Sequence, residues 1–217
     1  MTVLDQDAVT PTIATEVEYK FEVPADFTIP DLSTIIPGSR LGAAQLRLLD
    51  AVYLDTTELT LLRLGITLRR RIGGHDAGWH LKLPRAHGER VEIRMPLSDS
   101  AYTSELRAPA GLARRVNAYV QGASLRPVAR LRTHRVAYPL LGGGGIVLAE
   151  FAVDDVLATV LLKAATLPIS TTWSELEVEL VEGDRPLLEA IRGLLLTSGA
   201  RAARTASKLE RALSREL

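Results

Sequence analysis

The sequence predicts a mainly β fold of the α+β class, with about seven to nine strands and a few short helices. Many short segments alternate apolar and charged residues with the period of two that is typical of strands with one buried face. Turn residues such as Gly73-Gly74 separate these segments in hairpin order. The polar strand faces carry Arg, Lys, Glu and Asp, whereas an ordinary solvated face would also be rich in Ser and Thr.

Composition narrows the possible classes of protein. The 217 residues suit one domain of the larger kind, and 47% hydrophobic with 24% charged residues is ordinary globular composition. No apolar run approaches the roughly 18 residues that would indicate a membrane span. The lack of cysteine excludes disulfides and thiolate metal sites, and with no signal-peptide pattern it favours the cytoplasm. Because the formal net charge is zero, we expect neither a nucleic acid nor a membrane as partner.

The N-terminal part of the chain contains the first charged strand. Residues 1–14 are polar and aperiodic, which predicts a disordered segment, and residues 15–217 are predicted to form one domain. The segment Glu16-Val17-Glu18-Tyr19-Lys20-Phe21 places its two carboxylates and its ammonium on one strand face. A short helix at 31–36 and a strand at 45–54 follow.

The middle of the chain predicts a small helix and a three-stranded meander. Asp55 or Thr56 can cap a helix at 58–63, which Gly65 ends in the left-handed conformation. Strands at 66–71, 79–83 and 90–95 follow, and the polar residues on their charged faces are Thr67, Arg69, Arg71, His80, Lys82, Arg90, Glu92 and Arg94.

The C-terminal part alternates long strands with helices. Helices are predicted at 111–120, 185–196 and 207–216, and strands at 125–138, 146–154 and 173–181. In the strand at 125–138, Arg130, Arg132 and His134 lie on the face opposite Thr133 and Arg135. The last strand carries Glu175, Glu177 and Glu179 on one face, and these carboxylates would repel each other unless cations stood opposite.

The distribution of charge suggests what the polar faces do. Acids concentrate on the first and last strands, whereas bases concentrate at Arg69–Arg71, Lys82 and Arg130–Arg135, and a random solvated surface would mix the signs. A barrel could line its lumen with these faces and bind a polyanion together with divalent cations. A sandwich with salt-bridged, solvated faces fits the residue types equally well.

The ordered set of motifs resembles the CYTH, or triphosphate tunnel metalloenzyme, superfamily. The resemblance covers nearly the whole chain from Thr15 and is strongest to the CYTH portion of actinobacterial proteins in which a CHAD domain follows. It rests on Glu16-x-Glu18-x-Lys20, Tyr53-x-Asp55-Thr56, Gly65-x-x-Leu68-Arg69-x-Arg71, Leu81-Lys82, Arg135, Asp154, Glu175-x-Glu177-x-Glu179 and Ser207-Lys208.

The resemblance implies an eight-stranded antiparallel closed barrel with helices packed outside, which hydrolyses a triphosphate with Mg²⁺ or Mn²⁺. Inorganic triphosphate is the first choice of substrate, with a polyphosphate next, and a CHAD domain is an expected C-terminal partner. The implied metal ligands are Glu16, Glu18, Asp154, Glu175, Glu177 and Glu179. The implied phosphate-binding residues are Arg69, Arg71, Lys82 and Arg135, with Arg132 and Arg90 ranked second. The implied catalytic groups are Lys20, Lys208 and Glu18.

One departure from the family pattern and two rival functions accompany this prediction. Thr133 stands where the family often has a basic residue, which would weaken the phosphate grip at one subsite. One alternative is a non-catalytic module that binds polyphosphate or nucleotide. The other is an adenylyl cyclase, although no aromatic residue on the charged faces suggests a pocket for a base.

Overall fold

The computed structural model describes residues 10–24, 26–97, 106–162 and 169–214. They form one strongly curved antiparallel sheet with short helices. The strands are β1 Thr12–Glu16, β2 Glu18–Glu22, β3 Arg40–Leu41, β4 Gln45–Asp55, β5 Thr67–Ile72, β6 Gly78–Pro84, β7 Arg90–Met95, β8 Arg126–Leu141, β9 Val147–Val160, β10 Ser170–Leu180 and β11 Arg201–Ala202. The helices are α1 Thr60–Arg63, α2 Ala110–Val120, α3 Arg185–Thr197 and α4 Lys208–Ala212, with 3₁₀ turns at Leu32–Thr34, Ala86–Gly88 and Gly143–Gly145.

The order of the strands brings the two ends of the sheet together. Neighbouring strands follow the order β1-β7-β6-β5-β4-β8-β9-β10-β2-β11, with β3 beside β8. Strands β1 and β2 lie near opposite ends of this order, yet Val17 alone separates them in the chain. The sheet therefore curls round on itself and encloses a lumen.

The expected eight-stranded closed barrel is confirmed as an approximate description. Eight strands surround the lumen when β1 and β2 are counted as one interrupted strand and the two-residue strands β3 and β11 are set aside. Strand β1 begins at Thr12, so it includes the last three residues of the segment predicted to be disordered, whereas residues 1–9 lie outside the described part of the chain.

Two apolar clusters cover the outer face of the sheet. Leu112 and Val116 of α2 pack with Leu68 and Leu81 of β5 and β6, whereas Leu188 and other residues of α3 pack on β2, β9 and β10. Burial of these side chains holds the helices outside the sheet, as the sequence predicted. The charged face of each strand is then left facing the lumen. Among the described residues, no helix is long and apolar enough to cross a membrane.

The carboxylate of Asp55 organises the end of β4. It is fully buried and accepts hydrogen bonds from the backbone N–H groups of Thr56, Leu61 and Leu62, at 2.7–2.9 Å. It therefore caps α1, as the sequence predicted. Gly65 then ends the turn with a φ of 71°, a conformation that glycine adopts without a steric cost.

A third apolar cluster lies at one end of the lumen. Leu209 of α4 and the adjacent Leu213 are buried with Tyr53, Leu131 and Ala158, which lie on the inward faces of β4, β8 and β9. Helix α4 therefore closes this end of the barrel, whereas α2 and α3 pack on the outside.

Candidate active site

The lumen holds a cavity of about 760 Å³, including its open mouth. Inward-facing side chains of eight strands and of α4 line it. These residues are Glu16, Glu18, Lys20, Leu49, Ala51, Tyr53, Thr67, Arg69, Arg71, Lys82, Arg90, Glu92, Arg94, Leu131, Thr133, Arg135, Glu177, Glu179 and Lys208, together with Asp76 from the β5–β6 turn and Ser207. The charged faces thus point into one enclosed space, as the barrel interpretation predicted.

Three buried carboxylates, here called the acidic triad, converge beside this cavity, and Glu177 of the three lines it. Asp154 on β9 pairs in register with Glu175 on β10, and Glu177 lies two residues further on the same face. One oxygen from each carboxylate lies within 4.8 Å of the others, and all three residues are buried. A hard divalent cation prefers a set of oxygen donors of this kind.

The ammonium group of Lys208 neutralises the acidic triad from the side of α4. Its Nζ lies 2.9 Å from Asp154 Oδ2, 2.6 Å from Glu175 Oε1 and 2.7 Å from Glu177 Oε1. The start of α4 is fixed because the Ser207 hydroxyl accepts from the Glu210 N–H at 3.1 Å. This cap holds Lys208 at the first position of the helix, directed at the triad.

Two further cations contact the triad from the barrel wall. Arg135 donates to both oxygens of Asp154, at 2.8 and 2.7 Å, and to Glu177 at 2.5 Å. Lys20 also bonds to Glu177 and lies 2.9 Å from Glu18. Burial alone would raise the pKa of Glu177, but Lys20, Lys208 and Arg135 lower it well below its ordinary value.

Two arginines on β5 supply guanidinium groups with free donors. Arg69 donates to the Tyr53 hydroxyl at 3.1 Å, and Arg71 bonds to Asp76. The Nε of each arginine is buried and has no hydrogen-bond partner among the residues that the structure describes. Burial and the charge of Arg69 lower the pKa of Arg71 to about 9. An anion in the lumen would accept hydrogen bonds from the unpaired Nε donors and would reduce the repulsion between the guanidinium groups of Arg69 and Arg71.

A second charged cluster lies across the cavity from the triad. Lys82 Nζ is 2.6 Å from Glu16 Oε2 and 3.8 Å from Glu92 Oε1, and Arg94 contacts both carboxylates. Glu92 is fully buried and lies 2.8 Å from His80 Nδ1. Burial would raise the pKa of Glu92, but the hydrogen bond with His80 and the charge of Lys82 hold it well below its ordinary value.

Glu179 lies in the cavity wall above Glu177 on the same strand face. Burial and the neighbouring carboxylate of Glu16 raise its pKa to about 7. All six carboxylates predicted as metal ligands thus face the lumen, but only Asp154, Glu175 and Glu177 converge on one point among the described residues.

The structure corrects the prediction for Arg132. Its side chain is 59% exposed on the outer face, where it approaches Asp50. Side chains alternate along β8, so Arg132 cannot face the lumen while Arg135 does. Arg90 does line the cavity, but it donates to the backbone carbonyl of Ala206 at 2.9 Å and so also secures the approach to α4.

Three charged residues of the cavity, Glu92, Arg94 and Asp76, were not among the site residues predicted from the sequence. Glu92 shares the charged face of β7 with Arg90 and Arg94, so its inward direction could have been recognised from strand parity. Asp76 belongs to the β5–β6 turn, where no periodic pattern indicates the direction of a side chain. His80, which the sequence placed among the polar residues of the charged faces, has hydrogen-bond partners in Glu92 and in the carbonyl of Asp76.

The fold and the site define a class of protein: an antiparallel β tunnel whose lumen combines buried acids with a dense set of cations. The chain belongs to the CYTH domain family, whose model matches residues 14–212. This match confirms the resemblance stated from the motifs, whereas the CHAD domain stays a prediction.

Relatives of known sequence include two proteins of Mycobacterium tuberculosis, from strains CDC 1551 / Oshkosh and ATCC 25618 / H37Rv, each named as an uncharacterised protein. Each is 42% identical over 208 residues, which cover 91% of this chain and 40% of the relative. The chain therefore spans less than half the length of these relatives.

Solved structures share the fold at low sequence identity. A putative adenylate cyclase from Bacillus halodurans is 18% identical with a TM-score of 0.61, and the match covers 92% of this chain and 97% of that one. A putative adenylyl cyclase from Hippeastrum, described as having a dominant triphosphatase activity, is 17% identical with a TM-score of 0.56 over 93% and 97% of the two chains. A putative adenylate cyclase from Vibrio parahaemolyticus is 16% identical with a TM-score of 0.52, over 92% and 97%.

Proposed function

We propose that the lumen binds a linear triphosphate and hydrolyses it with the help of a divalent cation, with inorganic triphosphate as the first choice of substrate. The observation that carries this proposal is the buried acidic triad, whose Glu177 lines the same cavity as Arg69 and Arg71, two arginines with Nε groups that lack partners among the described residues. Cation ligands and anion donors in one enclosed space match a metal–phosphate substrate. Water would attack the terminal phosphorus as its bridging P–O bond breaks, releasing phosphate and diphosphate.

The cations of the wall would hold the phosphates. The planar guanidinium groups of Arg69, Arg71 and Arg135 can each donate two hydrogen bonds to phosphate oxygens, and Lys82 adds a point charge. Lys20 and Lys208, which already contact the triad, would lie beside the phosphate that is attacked. Because these cations are positioned before the substrate arrives, they stabilise negative charge on the leaving diphosphate without reorganisation.

The triad residues fit a metal ion by their chemistry, since three buried carboxylates offer oxygen ligands within 4.8 Å of each other. Asp154, Glu175 and Glu177 would hold it, and Glu16, Glu18 and Glu179 stay predicted ligands. Bound Mg²⁺ or Mn²⁺ would supply positive charge to the phosphate oxygens and acidify a water molecule. Glu18 keeps its predicted catalytic role through its contact with Lys20.

The aromatic residues favour inorganic triphosphate over a nucleotide. Tyr53 lines the cavity, but its hydroxyl is engaged by Arg69. The sequence suggested no aromatic residue on the charged faces, but Trp173 lies on the same face as Glu175. Its indole N–H donates to Glu175 at 2.6 Å, and Arg211 lies 4.9 Å over its ring. Neither ring offers an open face on which a purine could stack.

The names of structural relatives make adenylyl cyclase the second candidate function. A single set of incubations separates the candidates. Purified protein is incubated with inorganic triphosphate, long-chain polyphosphate, ATP or thiamine triphosphate, each with Mg²⁺ or Mn²⁺, and phosphate and cyclic AMP are measured. We expect phosphate release to be fastest from triphosphate. Cyclic AMP as the main product from ATP would favour the cyclase, and binding without turnover would favour a non-catalytic module.

A further inference from the structure

The lumen is open at one end and closed at the other. At the closed end, Leu209 and Leu213 pack against Tyr53 and Leu131 of the inward strand faces. At the other end lies the β5–β6 turn at residues 73–77, which carries Asp76. Among the described residues, α4 covers one end of the lumen and the mouth beside this turn lies toward the other, so a linear anion that enters by this mouth would direct one of its ends toward the acidic triad.

Charged side chains lie along the lumen between the closed end and the mouth. Lys208 contacts the triad, and Arg135 bonds to Asp154 and Glu177. Arg135 and Arg71 both line the cavity, and Arg71 bonds to Asp76. Arg71 thus uses one terminal nitrogen on Asp76 and leaves its Nε without a partner among the described residues. Asp76 therefore lines the cavity next to Arg71, on the β5–β6 turn.

The position of Asp76 is fixed by its surroundings. His80 Nε2 lies 2.9 Å from the backbone carbonyl of Asp76, and His80 is itself buried against Glu92. Gly73 begins the turn with a φ of 82°, and a Cβ there would lie 2.0 Å from the Leu48 carbonyl oxygen, so the turn is packed tightly on β4. The carboxylate of Asp76 is therefore held at the mouth.

A second acid neutralises Arg47, which follows Ala51 and Leu49 along the inward face of β4 away from the closed end and lies just outside the cavity lining. Both terminal nitrogens of Arg47 donate to Glu150 at 2.8 Å, across the inward faces of β4 and β9. Among the described residues, neither Glu150 nor Asp76 belongs to a cluster of metal ligands, whereas the acids at the inner end do. A metal ion could release the inner cations for phosphate, but the acids at the mouth would stay paired with Arg47 and Arg71.

We propose that Asp76 is a specificity-determining residue that restricts the lumen to short chains bound end-on, with three phosphates favoured over four or more. This inference rests on the proposed function and ranks inorganic triphosphate above long polyphosphate. A chain bound against the triad and held by Arg71 would bring its next phosphate against the Asp76 carboxylate. Repulsion between like charges at the edge of the solvent costs affinity by about fivefold to tenfold for each such contact.

The test measures affinity for linear triphosphate, linear tetraphosphate and a long-chain polyphosphate by calorimetry, in EDTA so that no chain is hydrolysed. We expect the wild type to bind triphosphate more tightly than tetraphosphate. Asp76→Asn should reduce this preference about fivefold to tenfold, and Asp76→Glu should preserve it because the charge remains. Glu150→Gln should improve binding of tetraphosphate more than binding of triphosphate. The matched control is Asp50→Asn, which removes an acid of the outer face that is paired with Arg130.

The possible results separate this inference from the proposed function. Equal affinity of the wild type for the three chains, or an unchanged preference in both Asp76→Asn and Glu150→Gln, would overturn the role of Asp76 while triphosphate binding stands. If the wild type binds none of the chains in EDTA but releases phosphate from triphosphate with Mg²⁺, the same comparison of chain lengths and variants is made as kcat/KM with Mg²⁺; if it neither binds nor releases phosphate, the proposed function itself fails. Circular dichroism of each variant shows whether the barrel has folded, and Glu150→Gln tests the mouth even if Asp76→Asn does not fold.

Discussion

Strand β8 carries arginines on both faces, and their surroundings differ sharply. On the outer face, Arg130 donates to Asp50 at 2.9 Å, and its side chain is 45% exposed. On the inner face, Arg135 is 14% exposed and binds two acids of the triad, of which Asp154 is fully buried. Water competes with the outer pair and screens it, whereas the inner group cannot be solvated in the same way. Strand parity, and not residue type, therefore separates a surface ion pair from a candidate site.

The largest expected effect comes from the inner face at Glu177. Glu177→Gln should lower phosphate release from triphosphate about a thousandfold, because the variant loses a triad carboxylate and the partner of three cations. Glu182→Gln, an exposed residue just beyond the end of β10, is the matched control and should retain the wild-type rate. A wild-type rate in Glu177→Gln would contradict the assignment of the triad.

The second largest effect is expected on stability, when the ammonium group of Lys208 is removed from the triad. Lys208→Met leaves three buried carboxylates less compensated, so the free energy of unfolding in EDTA should fall by about 3–5 kcal/mol. Mg²⁺ should stabilise this variant more than the wild type, because a divalent cation would take the place of the ammonium group. Urea denaturation with and without Mg²⁺ measures both effects.

Arg211→Met on the same helix is the control for Lys208→Met. Its guanidinium lies over the Trp173 ring and reaches only Glu175 of the triad, at 3.8 Å, so its loss should cost about 1 kcal/mol with a smaller added response to Mg²⁺ than in Lys208→Met. An equal effect of Mg²⁺ on Lys208→Met and on the wild type would show that the ammonium does not stand where a metal binds.

The two faces of β8 can be compared directly by alanine substitution. Arg135→Ala should lower kcat/KM for triphosphate about a hundredfold, because a positioned donor to the developing charge is lost. Arg132→Ala should change it less than about twofold, since this exposed side chain approaches only Asp50 among its acidic neighbours in the described structure. Similar losses in both variants would mean that the outer face takes part in binding.

The smallest effect concerns the outer pair and pH. The hydrogen bond from Arg130 lowers the pKa of Asp50 below its ordinary 3.8. The pair therefore stabilises the fold above about pH 4, and this contribution is lost as the pH falls through the folded pKa. Wild type and Asp50→Asn should differ by less than about 1 kcal/mol at pH 7, and this difference should shrink as the pH falls below about 4, as measured by urea denaturation. A difference in the free energy of unfolding that grows as the pH falls would contradict the predicted lowering of the Asp50 pKa.

Strand parity predicted much of the site because its residues lie on long, regular strands. The period of two placed Arg69 and Arg71 on one strand face, and with Glu177 they line the lumen that the resemblance implied. Arg132 was ranked as a phosphate ligand through the family resemblance, against its parity, and the structure places it outside. Where parity and resemblance disagreed, the geometry of the strand was the better guide.

Features that depend on distant packing could not be predicted in this way. A turn residue such as Asp76 follows no period, so its contact with Arg71 emerges only once the hairpin is built. The five residues of α4 form too short a helix to show which surface they cover, and their place at the end of the lumen depends on Tyr53 and Leu131, far away in the chain. The family resemblance predicted Lys208 as a catalytic group, but it did not predict that the helix carrying Lys208 closes one end of the lumen.

The break at Val17 has a consequence for how the chain folds. Lys20 must pair with Glu177, 157 residues later, before the ring of strands is complete. Pairing over such a distance is entropically slow, so the seam is expected to form last, after β10 has been synthesised. Until then the N-terminal strand would present an open edge, and the charges of Glu16, Glu18 and Lys20 discourage edge-to-edge association with another chain. The groups proposed to bind metal and phosphate would thus also protect the unfinished barrel from aggregation.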